Sequence, residues 1–139
     1  MPKQTKRSNC PINLALELFG DRWTLLIIRD LMFMGKRHYG EFLQSWEQIA
    51  TNILANRLAL LEKEGIVIKN VDPVHKSKFI YKLSQKGIDL LPILIEVVLW
   101  AVKYYTCTDK VKDWVDHAKR DREGFINEVT SRLKEELPN

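Results

Sequence analysis

The sequence predicts a mostly helical α+β fold in which a short β-hairpin follows an amphipathic helix. The helix is indicated by Leu54, Leu58 and Leu61, which recur at helical spacing. Gly65 ends this pattern, because glycine readily adopts the backbone conformation that terminates a helix. Two strand-like runs then follow in direct succession.

The hairpin is predicted from residues 66–68 and 79–83, two runs rich in β-branched and aromatic residues. The segment between them, 70–78, combines turn-forming residues with positive charge. A helix that leads into a basic hairpin is typical of a winged helix-turn-helix. We therefore predict this fold, with extra N- and C-terminal dimerisation helices.

The first two helices are located by their start and stop signals. Pro11 is favoured at the first helical position, which places Cys10 at the N-cap. Gly20 ends this helix, and Asp21 is suited to cap the second one. The second helix is expected to end before Gly35.

A helix-turn-helix is predicted between residues 39 and 64. Its first helix covers residues 39–45 and packs Phe42 and Trp46 inward, and its second covers residues 50–64. The second is the predicted recognition helix.

A long apolar helix is predicted after the hairpin, with Ser84 as its cap and a kink at Pro92. Its apolar residues lie on nearly every face, more than one small domain can cover, so part of it is expected to face a second subunit. The predicted interface residues are Leu91, Leu94, Ile95, Val98 and Val102. Beyond residue 111, two helices or one broken helix are expected to pack on the dimer.

The expected organisation is a flexible basic N-terminus (residues 1–9), a DNA-binding domain (residues 10–105) and a helical C-terminal extension (residues 106–139). A chain of 139 residues that is 45% hydrophobic and 29% charged suits a single globular domain with an added element. Two cysteines are too few for a disulfide scaffold, and no Cys/His cluster predicts a metal. No cofactor is expected.

The net charge of +4 fits an anionic partner, since the positive excess belongs to residues 1–107. No secretory signal is visible, and the most apolar segment, 90–102, is too short and too interrupted to span a bilayer comfortably. A cytoplasmic protein without a membrane partner is expected. The sequence shows no Gly-rich phosphate loop, paired carboxylates or nucleophile–base spacing, so an enzyme is not expected.

The ordered set of motifs resembles the HxlR family of bacterial winged-helix regulators, relatives of the MarR type. The matching segments are residues 10–11, 19–27, 37–42, 49–58, 61–67 and 81–87. The resemblance implies a homodimer that binds a palindromic operator on double-stranded DNA and regulates a neighbouring gene as a repressor. The sequence departs from the family pattern at Ala50, where serine is common, and at Ile80, where glutamate is common.

The predicted DNA-binding residues lie in three groups. Thr51, Asn52 and Asn56 lie on the polar face of the recognition helix, where an asparagine amide can pair with adenine. Arg57 either reaches phosphate or is held by Glu62 or Glu41. The basic residues expected to contact phosphate elsewhere are Lys36 and Arg37 before the third helix, and Lys76 and Lys78 in the hairpin.

Cys10 is a candidate redox sensor. A thiol at a helix N-cap is shifted toward thiolate by the helix dipole, and Lys6 and Arg7 are expected to act in the same direction. The family resemblance implies a redox- or electrophile-responsive thiol at this position in some members. The alternative is a capping residue at the dimer surface. The histidines His38 and His75 are interpreted as surface residues.

Besides the enzyme considered above, one other function is weighed against the regulator. It is a winged-helix protein-interaction module without sequence-specific DNA binding, and basic residues in both the hairpin and the loop before the third helix argue against it. A small-molecule effector suits this architecture, but no residue pattern indicates one.

Overall fold

The predicted mostly helical α+β fold is confirmed by a computed structural model that describes residues 6–138. Residues 1–5 of the predicted flexible N-terminus lie outside this range. The elements are α1 (Pro11–Phe19), α2 (Thr24–Phe33), α3 (Tyr39–Phe42), α4 (Thr51–Lys63), β1 (Val67–Val71), β2 (Phe79–Leu83), α5 (Gln85–Ile88), α6 (Leu91–Tyr104), a 3-10 turn (Asp109–Val111), α7 (Lys112–Arg120) and α8 (Arg122–Lys134).

The start of α2 follows the sequence prediction. The Asp21 carboxylate accepts hydrogen bonds from the backbone N–H groups of Trp23 and Thr24 at 2.9 and 3.0 Å. These bonds satisfy donors that have no partner inside the helix.

The helix-turn-helix consists of α3 and α4, joined by a turn in which Gln48 has a left-handed backbone conformation (φ 56°). Helix α3 is shorter than predicted, because the chain leaves helical geometry after Phe42. Phe42 is buried as expected, but Trp46 is 56% exposed, so its predicted inward packing is wrong. Trp46 instead lies beneath the Lys110 ammonium, 4.4 Å from the ring centroid.

Helix α4 agrees with its sequence pattern to within one residue at each end. Leu54, Leu58 and Leu61 are all buried, and Gly65 follows with a positive φ of 75°. Because these leucines point into the core, the opposite face of the helix is free for binding. Their buried neighbours on α2 and α6 include Ile28, Leu31, Leu91 and Ile95.

The hairpin, called the wing below, pairs β1 with β2 in antiparallel register, from Val67 opposite Leu83 to Val71 opposite Phe79. The first strand begins one residue later and extends further than predicted. The loop over residues 72–78 carries the turn and two lysines.

The predicted long helix is divided in two, and the predicted kink at Pro92 is therefore wrong. Ser84 Oγ accepts the N–H of Gly87 at 3.2 Å and caps α5, which ends at Ile88. Pro92 lies in the first turn of α6, where a missing N–H costs no hydrogen bond. A Cβ on Gly87 would overlap the Ile66 carbonyl oxygen, so only glycine fits at this crossing.

The C-terminal extension packs on its own chain. Trp114 of α7 is stacked between Phe33 of α2 and Phe125 of α8, with ring centroids 5.1 and 5.4 Å apart. Val129 and Leu133 of α8 are buried as well. These helices were expected to pack on a dimer, and their packing against α2 of the same subunit was not predicted. No helix in residues 6–138 is long and apolar enough to cross a membrane.

Candidate nucleic-acid interface

The outer face of α4 carries polar side chains that face solvent. Thr51, Asn52 and Asn56 are exposed, while the leucines of the opposite face are buried. The Tyr39 hydroxyl lies 2.6 Å from the Thr51 carbonyl oxygen and 2.7 Å from Thr51 Oγ1. Since Ala50 at the N-cap offers no side-chain acceptor, Tyr39 provides the polar contact at this end of the recognition helix.

Arg57 is held by a residue that the sequence did not identify. Its Nη1 lies 3.4 Å from Asp21 Oδ1, and its Nη2 donates to Asn56 Oδ1 at 2.6 Å. The predicted partners Glu62 and Glu41 are therefore wrong. This arrangement links the start of α2 to the recognition helix and holds the Asn56 amide through its oxygen.

The wing presents exposed basic side chains next to this helix. Lys76 and Lys78 are exposed, and within the described range neither forms an ion pair. Asp72 shapes the loop, because its Oδ1 accepts the N–H groups of Val74 and His75 at 2.8 and 3.3 Å. Lys69 on β1 is a further cation that the sequence prediction missed, with Nζ 4.1 Å from the Phe79 ring centroid.

Lys36 is not a free cation, in contrast to its predicted role. Its Nζ lies 3.3 Å from Asp30 Oδ2 and donates to Ser45 Oγ at 2.8 Å. Asp30 is only 2% exposed, and a buried carboxylate is stable only if cations and donors surround it. Arg29 supplies a second cation at 2.8 Å and also pairs with Glu47. A carboxylate within the apolar α2 pattern was the signal that could have predicted these partners.

Arg37 is also engaged within the chain, and its predicted contact with phosphate stays a prediction. Its guanidinium donates to Glu136 Oε2 at 2.8 Å and to Oε1 at 2.6 Å. The carbonyls of Leu31 and Lys36 accept from Nη1 at 2.8 and 2.7 Å. The loop before α3 is thus anchored to the C-terminal extension.

His38 joins the helix-turn-helix to the wing. Its Nδ1 lies 3.0 Å from Glu41 Oε1, and its Nε2 lies 2.9 Å from Asp72 Oδ2. The hydrogen bonds to Asp72 and Glu41 raise the pKa of His38. The bond from His38, with the N–H donors of the loop, lowers the pKa of Asp72 to about 2. The interpretation of His38 as an unengaged surface residue missed this bridge.

Cys10 lies at the N-cap of α1 and is exposed, as predicted. The first-turn N–H groups of Asn13 and Ile12 lower the pKa of its thiol. Arg7 does not act on the thiol as expected, because its side chain lies 4.0 Å from Glu17 and its backbone N–H donates to the same carboxylate.

An apolar face remains exposed along α6, but it is not the predicted one. Leu91, Leu94 and Ile95 are buried in the core of the subunit, so their assignment to a subunit interface is wrong. Val98 and Val102 are half-buried. The exposed large apolar residues on α6 are Ile93, Val97, Trp100 and Tyr104, and α1 adds Ile12, Leu14 and Leu16. Apolar residues occur on nearly every side of α6, interrupted by the exposed Glu96 and Lys103, so periodicity did not show which side the core would cover.

Within residues 6–138, no group of histidine, cysteine or acidic side chains is arranged to hold a metal ion. The main candidate interface is the exposed polar face of α4 with the exposed basic wing. A model of the HxlR-like helix-turn-helix family matches residues 18–109, more than half of the chain. The chain belongs to the HxlR-like helix-turn-helix family.

This family consists of DNA-binding transcription regulators and not of enzymes, so both the resemblance and the non-enzyme prediction are confirmed. One relative, the uncharacterized HTH-type transcriptional regulator sll1512 of Synechocystis, is 34% identical over 86 residues, which is 62% of this chain. The chain spans 63% of sll1512, less than two thirds of its length. The HTH-type transcriptional regulator YodB of Bacillus subtilis is 36% identical over 103 residues, covering 73% of this chain and 91% of YodB.

The chain is also similar to solved structures of transcription regulators. The crystal structure of PA1607 aligns with a TM-score of 0.66 and 36% identity, covering 75% of this chain and 71% of PA1607. The reduced form of YodB aligns with a TM-score of 0.58 and 33% identity, covering 73% of this chain and all of the YodB chain. YodB has also been solved in a quinone-bound form and after diamide treatment. Residues 110–139 of this chain lie beyond the segment that the family model matches.

Proposed function

We propose that this protein is a homodimeric repressor that reads a palindromic operator with α4 and contacts the flanking phosphates with its wing. The observation that supports this proposal is the exposed polar face of α4 with Asn52 and Asn56, together with two exposed wing lysines that form no ion pair among the described residues. An asparagine amide can donate to and accept from adenine in the major groove, and lysines neutralise phosphates.

The homodimer is supported by the exposed apolar face. Val97, Trp100 and Tyr104 of α6 are 49%, 60% and 63% exposed, and Ile12 of α1 is 71% exposed. The three α6 residues lie on one side of that helix at helical spacing, and a cluster of exposed large apolar side chains indicates an interaction site. A second copy related by two-fold symmetry would cover the same face on both subunits and place the two recognition helices about 34 Å apart.

Cys10 is the proposed sensor of the repressor. The support is its exposure, its lowered thiol pKa and the quinone-bound form of the relative YodB. In the proposed step, the Cys10 thiolate adds to a ring carbon of a quinone and forms one S–C bond as the C=C π bond conjugated to the carbonyl breaks. The electron pair moves to the carbonyl oxygen, which takes up the proton that the thiol has lost. The adduct at the start of α1 would then repack the dimer face and alter the spacing of the recognition helices.

Selection of bound sequences from a random pool of double-stranded DNA tests the function. Enrichment of a palindrome with half-sites about 10 base pairs apart is expected, with a steep loss of affinity as salt rises. The intact protein should repress transcription from a promoter that contains the selected site. Weak binding without enrichment would instead favour a winged-helix interaction module, an alternative supported by the engagement of Lys36 and Arg37 within the chain.

A further inference from the structure

We propose that His38, as an imidazolium, is a positioning residue of the DNA-binding surface, because it ties α3 to the base of the wing and so holds Lys76 and Lys78 in place for phosphate. This inference rests on the proposed function, since it concerns how that function's wing is held.

The protonation state follows from geometry. Nδ1 and Nε2 of His38 lie 3.0 and 2.9 Å from carboxylate oxygens of Glu41 and Asp72. A carboxylate is an acceptor only, and a neutral imidazole has one N–H donor. Both contacts are hydrogen bonds only if both ring nitrogens carry protons. The bridge is therefore complete in the cationic form and is broken on one side in the neutral form.

The carboxylates of Glu41 and Asp72 also accept hydrogen bonds from backbone N–H groups. Glu41 Oε1 also accepts the backbone N–H groups of Arg37 and His38 at 3.0 and 2.9 Å, which fixes the start of α3. On the other side, Asp72 uses Oδ2 for His38 and Oδ1 for the N–H groups of Val74 and His75. The Asp72 backbone N–H donates to the Lys78 carbonyl at 2.9 Å and closes the loop.

The loop held in this way carries both wing lysines. Residues 72–78 separate β1 from β2, and Lys76 and Lys78 lie four and six positions after Asp72. The strands of the wing are fixed to the helices by buried Tyr81 and Leu83, and the Tyr81 N–H donates to the Arg37 carbonyl at 2.8 Å. These contacts lie within β2, so the far end of the hairpin needs a contact of its own to be held. The His38–Asp72 contact joins the wing to the helix-turn-helix at the residue from which the loop starts.

The contacts of His38 with Glu41 and Asp72 should depend on pH, because both are hydrogen bonds only while the imidazole is protonated. Among the described residues, the titratable groups that face the imidazole are Glu41 from α3 and Asp72 from the end of β1. The guanidinium of the nearby Arg37 pairs with the Glu136 carboxylate. His75 lies in the wing loop, where its backbone N–H donates to Asp72. Hydrogen bonds to Asp72 and Glu41 raise the pKa of His38 above the ordinary value of an imidazole, so the cation persists to a higher pH than in a free histidine. At higher pH, a ring lone pair would face a carboxylate and the bridge would open.

The test measures DNA affinity of the intact protein for its selected operator at several salt concentrations, from about pH 6 to about pH 9. The variants are His38→Gln, which removes the charge, and His75→Gln, a matched control in the wing. At the acidic end, H38Q should raise Kd about tenfold and flatten the salt slope by about one to two, the effect of losing one or two phosphate contacts. Wild type and H75Q should approach H38Q only as the pH rises.

A second measurement follows the wing without DNA. Nuclear magnetic resonance should show the amide signal of Val74 shifting with the titration of His38 in wild type, and this shift should be absent in H38Q. Circular dichroism is the control for folding. H38Q should be folded, because the His38 side chain is 39% exposed.

The outcomes separate the two proposals. Equal salt slopes and equal pH profiles for wild type and H38Q would overturn the positioning role and leave the DNA-binding function intact. An equal loss in H75Q, or a Val74 amide shift that persists in H38Q, would also overturn it. Absence of DNA binding by wild type at every pH would refute the proposed function itself, and with it the effect of His38 on affinity.

Discussion

Arg37 and Glu136 form a bidentate ion pair across 99 positions of sequence, with N–O distances of 2.8 and 2.6 Å. Lys82 Nζ on β2 donates to the Glu136 carbonyl at 2.9 Å. Glu136, which lies beyond the end of α8, thus contacts both the loop before α3 and the second wing strand. The contact gives the C-terminal extension a direct connection to the candidate DNA-binding surface.

Replacement of Glu136 should weaken this connection. Glu136→Ala is expected to lower the free energy of unfolding by about 1 kcal/mol, as for a well-aligned ion pair near the surface. Urea denaturation measures the loss. The matched control is Glu135→Ala, an exposed neighbour without a side-chain ion pair among the described residues, which should have little effect. Equal losses in the two variants would show that the Arg37 pair adds nothing to stability.

The Asp72 carboxylate should make stability depend on pH. Its pKa is lowered to about 2, chiefly by the hydrogen bond from His38, so its contribution is present above its unfolded pKa and is lost as the pH falls through about 2. Asp72→Asn should therefore lower Tm at neutral pH, and its Tm difference from wild type should shrink as the solution is acidified. The double variant His38→Gln/Asp72→Asn should lose little more than Asp72→Asn, because the shared bond is already gone. Fully additive losses would contradict this coupling.

Trp114 should be the main anchor of the C-terminal extension. Its indole is stacked between Phe33 and Phe125, so Trp114→Ala should cost about 3 kcal/mol of unfolding free energy through lost contacts and a cavity. Trp46→Ala is the control, since Trp46 is 56% exposed and should cost about 1 kcal/mol or less. Chemical denaturation compares them. Similar costs would mean that the stack does not hold the extension.

Charge on the exposed α6 face should disrupt the proposed dimer. Trp100→Glu places a carboxylate in a face that a second subunit would bury, and an unpaired buried charge is strongly unfavourable. Analytical ultracentrifugation should find a dimer for wild type and a monomer for Trp100→Glu. Trp46→Glu, an exposed tryptophan outside this face, should remain dimeric. Dimers in every case would place the interface elsewhere on the protein.

Thiol chemistry at Cys10 should control operator release. In gel-shift titrations, a quinone should release wild-type protein from its operator, and Cys10→Ser should remain bound. Cys107→Ser is the control, because Cys107 is also exposed but lies after α6. Mass spectrometry should locate the adduct on Cys10. A full response in Cys10→Ser would refute the sensor.

Local patterns were sufficient for the elements that make up the candidate interface. The leucines of α4 and the turn at Gly65 predicted the recognition helix to within one residue, because helical periodicity and a glycine stop depend on neighbours in sequence. The paired strands and the Ser84 cap were predicted for the same reason. The wing lysines were predicted as exposed because a charged turn between strands has no core to enter.

Only the tertiary structure showed which charged side chains form ion pairs within the chain and which apolar residues are buried in the core. Lys36 and Arg37 match the basic pattern of a DNA contact, yet Asp30 and Glu136 engage them through contacts that no local pattern encodes. Helix α6 carries apolar residues on nearly every side, so only packing could show that Leu91 is buried and Trp100 exposed. Sequence by itself determined the elements and their polar and apolar faces, because these depend on near neighbours. The fold decided the partners of each side chain, because those depend on which distant segments meet.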